Sequence, residues 1–77
     1  MTSEDAAQVI ERFLADAGLY PQEWNDFVET PQRDKKVEFL RKRCYELDPL
    51  VNRPGEPDGL AVAELRSIVA ALRSTTA

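Results

Sequence analysis

TPQRDKKVEFLRKRCYELDP, running from Thr30 to Pro49, is the stretch on which the fold turns. Val37, Leu40, Cys44 and Leu47 recur at steps of three and four, the period of a helix with a single inward stripe. Thr30 as N-cap and Pro31 at the first helical position predict where it starts. Asp48 before Pro49 predicts where it stops, because the residue ahead of a proline is pushed out of the helical region. The expected helix covers 31–47.

The same stretch holds an aromatic that the stripe does not use. At about 100° per residue, Phe39 points away from the mean direction of Val37, Leu40, Cys44 and Leu47. Its neighbours one turn away are Lys35, Lys36, Lys42 and Arg43, all cations. Two readings follow. Either Phe39 packs under the proline-rich segment, against Leu50 or Val51, with the lysine stems running outward, or the ring is an apolar anchor on a contact surface whose cations steer an acidic partner.

Working outward, Ala6, Val9, Ile10, Phe13, Leu14 and Ala17 make one apolar stripe and predict a helix over 4–17. Ser3 is the expected N-cap and Gly18 the expected left-handed terminator. Pro21 opens a second helix over 21–29 that buries Trp24, Phe27 and Val28, with Leu19 and Trp24 spaced as a hydrophobic staple. Pro49, Pro54, Pro57 and Gly55 predict a loop over 49–58. Ala61, Leu65, Ile68, Val69 and Leu72 predict a last helix over 60–73, capped by Asp58 or Glu56. No strand-like alternation and no repeat is present. The expected fold is all-α: one four-helix, bundle-like domain spanning 1–77, with a proline-rich loop before the last helix and frayed ends at 1–3 and 74–77. Its expected core comprises Val9, Ile10, Phe13, Leu14, Trp24, Phe27, Val37, Leu40, Cys44, Leu47, Leu65, Ile68, Val69 and Leu72.

Composition narrows the function. With 77 residues, a single core is only marginally stabilising, which leaves room for a homodimer. The net charge is −4, yet the charges are not mixed: residues 1–30 carry seven acids and one base, and residues 31–48 carry six bases and four acids. No apolar run is long enough to span a membrane, and no export signal opens the chain, so a soluble cytoplasmic protein is expected. The excess of Arg over Lys and the frequent Ala point to a bacterial source. One cysteine excludes an internal disulfide, and the absence of His removes the usual zinc spacings. No cofactor or metal is expected.

Several chemistries can be weighed on these residues. Cys44 lies on the inward stripe and reads as a small core hydrophobe. Glu4 with Asp5, and Glu23 with Asp26, occupy first helical turns, where acids complement the helix dipole. Catalysis is therefore not expected. Asp48, Asn52, Glu56 and Asp58 offer oxygen donors, but not at the spacing of a calcium loop. The second and third helices resemble a helix-turn-helix in outline, with Gln32, Arg33, Lys35 and Lys36 as the residues that would enter a groove. The acidic pI of about 4.7 disfavours nucleic acid. A third reading is an acidic inhibitor or immunity-type protein that mimics nucleic acid through Glu11, Asp16 and Glu23. The reading that best fits the charge pattern is a non-catalytic interaction module or small regulatory subunit. Its contact patch would be Phe39 with Lys35, Lys36, Lys42 and Arg43, and its partner another protein with an acidic surface.

Overall fold

A computed structural model describes residues 1–16 and 18–74. It contains four helices: α1 (Ser3–Ala15), α2 (Pro21–Glu29), α3 (Lys35–Val51) and α4 (Gly59–Arg73), with no strand among the described residues. The all-α expectation holds. Ala17, expected on the first stripe, and residues 75–77 lie outside the described residues.

Capping decides where each helix begins. In α1 the cap is Thr2 rather than Ser3: Thr2 Oγ1 accepts from the Asp5 N–H, and Asp5 Oδ2 accepts from the Thr2 N–H, both at 3.1 Å. This reciprocal pair satisfies two otherwise unpaired donors, so the end expected to fray is closed by a box. The Thr2 bonds also hold the Asp5 carboxyl below its usual range. The other end differs as well. Instead of running to Ala17 and ending on a left-handed Gly18, α1 stops at Ala15, and Asp16 Oδ1 accepts from the Leu19 N–H at 3.1 Å. A short acidic side chain offering the backbone a local bond competes with helix continuation. Gly55, with φ of 86°, is the glycine that uses the left-handed region among the described residues.

The bounds of α2 match those expected, with Pro21 opening it. The staple does not form, since Leu19 is 64 % exposed. Trp24 instead stacks on Phe13, with centroids 4.3 Å apart and planes 13° apart, and donates Nε1–H to Asp48 Oδ1 at 2.6 Å.

In α3 the start and the stop both shift by four residues. Asp34 is the N-cap, accepting from the Val37 N–H at 3.0 Å, so Thr30–Asp34 is a connection and Thr30 caps nothing. At the far end the helix continues through Pro49 to Val51. Proline removes one backbone bond there, on a side where Tyr45 and Pro49 face solvent. Burial of Leu47 and Val51, with the Asn52 N–H donating to the Asp48 carbonyl at 2.8 Å, holds the last turn. The proline-rich loop is therefore only Asn52–Asp58, closed by the Asp58 N–H on the Leu50 carbonyl at 2.9 Å. Asp58 then caps α4 through the Ala61 N–H at 2.9 Å.

Helix α1 packs on all three others, most extensively on α4, while α2 and α4 do not meet. The pairs Lys36–Ser74, Arg43–Glu64 and Leu50–Asp58 show that α3 and α4 run antiparallel. Buried residues from all four helices form one cluster, with Trp24, Ile10, Leu65, Val37 and Cys44 fully enclosed. Leu14 and Leu40, expected inside, are half-buried at its edge.

Candidate functional site

Phe39 lies in the second turn of α3 and is 74 % exposed. The proline-rich loop does not cover it. That loop starts at Asn52, thirteen residues further along and about 20 Å away at 1.5 Å per residue. Of the two residues expected to meet the ring, Val51 is buried in the core and Leu50 is 41 % exposed. The packing reading of Phe39 is therefore overturned.

The four cations around the ring are not equivalent. Arg43 is committed to α4: Nη2 donates to Glu64 Oε1 at 2.8 Å, Nε donates to Glu64 Oε2, and Glu46 Oε1 lies 3.6 Å from Nη1. The Glu64 bonds raise the Arg43 pKa, and Arg43 in turn holds the Glu64 carboxyl below its usual range. Lys36 Nζ donates to the Ser74 carbonyl at 3.0 Å and forms no ion pair among the described residues. Lys35 and Lys42 have no carboxylate within ion-pair distance among the described residues. Beside the ring is an open depression of about 410 Å³, lined by Phe39, Lys42, Arg43 and Glu46 of α3 and by Glu64 and Ile68 of α4, with Leu40 at its base. Glu64 and Ile68 were absent from the expected patch. A stripe count on one helix cannot name the residues a neighbouring helix contributes, although the acidic Glu64, next to Leu65 of the apolar stripe of α4, was available as a signal.

The opposite flank of α3 carries a second arrangement that the sequence did not announce. Arg41 is 8 % exposed. Its Nη1 donates to the Val28 carbonyl at 2.6 Å, and its Nε and Nη2 grip the two oxygens of Glu38 at 2.7 Å each. Glu38 Oε1 also accepts from the Gln32 N–H at 2.8 Å. The Arg41 guanidinium, and then that N–H, pull the Glu38 carboxyl down to about 2. This cluster ties the end of α2 and the connection to α3.

The remaining candidates are drawn into structural roles. Glu11 and Glu4 both reach Arg73, at 2.5 and 2.8 Å, and Glu23 pairs with Arg12 through two bonds. Asp16 holds its own turn. Asp48 accepts from Trp24, Asn52 donates to Asn25 at 2.9 Å, and Asp58 caps α4. Gln32 spends its backbone N–H on Glu38 and its side-chain amide on the Thr30 carbonyl. The connection between α2 and α3 is five residues long, Thr30–Asp34, rather than the tight joint of a helix-turn-helix. Burial pushes the Cys44 thiol up to about 12, which keeps it protonated and unreactive at neutral pH. Among the described residues no helix is long and apolar enough to cross a membrane.

Comparison with protein-family models, with curated proteins and with solved structures finds no match for this chain.

Proposed function

We propose that this chain is a non-catalytic protein–protein interaction module or small regulatory subunit. It docks an acidic surface of another protein through Phe39, with Lys35, Lys36, Lys42 and Arg43 around the ring. One observation carries the reading: an aromatic 74 % exposed in the second turn of α3, bordered by lysines that form no ion pair among the described residues. Burying such a ring contributes roughly 1.5–3 kcal/mol, and unpaired lysines at its rim speed and orient the encounter. Arg43 is held in place by Glu64, so it meets a partner without first being ordered. The cytoplasm suits a chain whose one cysteine is a buried free thiol.

Two observations favour this reading over its alternatives. The acids that would mimic nucleic acid are largely paired within the chain, Glu11 to Arg73 and Glu23 to Arg12. The residues that would enter a DNA groove are split between a connection and a helix start. The test is capture of a partner from the native organism by immobilised protein, followed by binding measured for Phe39→Ala and for a Lys35→Glu, Lys36→Glu, Lys42→Glu triple variant. Both variants should lose binding while melting like wild type. Unchanged affinity in both would remove the patch from the function.

A further inference from the structure

The outer ridge of α3 has an order that reads alike from both ends. Phe39, Arg43, Glu46 and Leu50 follow one another at steps of four, three and four, and their directions fall within about 60° of arc. That spacing is the seam of a coiled coil. The two apolar members close the ridge, at 74 and 41 % exposure, and the two charged members lie between them. We propose that this ridge pairs antiparallel with the same ridge of a second copy of the chain. The proposal rests on Phe39 being a contact residue and adds an occupant for it.

Placed antiparallel about the middle of the ridge, Phe39 of one copy meets Leu50 of the other, and the reverse contact forms at the far end. Arg43 and Lys42 of one copy face Glu46 of the other. Glu46 is available for this, since its one ion pair among the described residues is the long 3.6 Å approach to Arg43. Counted over both copies, Lys42 and Arg43 supply four cations, and Glu46 and Glu64 supply four carboxylates, so the joined strip is neutral. A parallel pair fails on charge: it would set Lys35, Lys36 and Lys42 against their own copies. A two-fold antiparallel contact is also self-complementary, as a closed dimer requires. Four ridge residues cover well under the about 800 Å² per partner of a standard interface, so the pairing is weak and depends on concentration. It covers Phe39. A second copy and an acidic partner therefore compete for one ring.

Sedimentation equilibrium at rising concentration tests this directly. The weight-average mass of the wild type should climb from 8.7 kDa towards twice that value. Leu50→Glu should weaken association by about tenfold or more, since the two-fold pair loses both leucine contacts and gains two charges. Leu50 lies outside the cation cluster, so this variant should still capture the acidic partner and melt like wild type. Glu46→Lys and Lys42→Glu should each weaken self-association, and an equimolar mixture of the two should recover it, because each then supplies the charge the other lacks. A wild type that stays monomeric at all concentrations, or a dimer indifferent to Leu50→Glu, would overturn the pairing while leaving Phe39-dependent capture of another protein intact. Loss of that capture with a normal dimer would overturn the partner reading instead.

Discussion

Phe39 and Arg41 stand two residues apart on one helix and reverse the usual order of inside and outside. Arg41 is 8 % exposed and Phe39 74 %. On the side of α3 that meets α2, a charge is tolerated because each of the three guanidinium nitrogens finds an acceptor: the Val28 carbonyl and both oxygens of Glu38. On the outer side, an apolar ring is left in water beside Lys35 and Lys42, which form no ion pair among the described residues. What the pair teaches is that residue type alone does not assign a face. The partners within reach decide whether a charge can go in, and the absence of a covering element decides whether an aromatic stays out.

That contrast can be broken or sharpened by substitution. The largest effect should come from the other environment for the same residue type: Phe13, stacked on Trp24 and buried, should lose about 3–5 kcal/mol on replacement by Ala, enough to unfold so small a domain. Urea titration reads it, and a mild Phe13→Ala would show that the stack is not central to the core. Arg41→Met keeps much of the side-chain volume but leaves the Val28 carbonyl unpaired, at a cost of about 1–3 kcal/mol. A neutral result would mean that water replaces the guanidinium. Glu38→Gln should act less at neutral pH and more visibly in its pH dependence. Because the folded carboxyl sits near 2 rather than 4.5, its contribution is present above 4.5 and fades as pH falls towards 2. Melting temperatures of the glutamine variant should therefore be lower at neutral pH and should fall less steeply across that acid range than those of the wild type.

The sequence was most legible where a helix announces itself by stripe and proline together. The bounds of α2 were read correctly, and Asp58, one of the two expected caps, does cap α4, which begins directly after it at Gly59, one residue earlier than expected. The errors cluster at competing caps. Ser3 and Thr30 are good cap residues by type, but Thr2 and Asp34 are the ones with an N–H in bonding position three residues on. Pro49 misled for a different reason: a proline in the last turn forfeits a bond that faces solvent, and the burial of Val51 outweighs that loss. Arg41 could not be placed inside from sequence, because its burial depends on the Val28 carbonyl thirteen residues earlier. Phe39 was identified by its direction and its neighbours, since both are local properties of one helix. The loop expected to cover it lies elsewhere because α3 runs four residues further past Phe39 than the proline pattern implies, to Val51.

The central claim is that Phe39 is spare to the fold and free for contact. Chemical denaturation of Phe39→Ala in dilute solution, where self-pairing plays no part, tests it most directly. The account predicts an unfolding free energy within about 0.5 kcal/mol of the wild type, as for other surface substitutions. A loss of about 2 kcal/mol or more would place the ring in the core and contradict it.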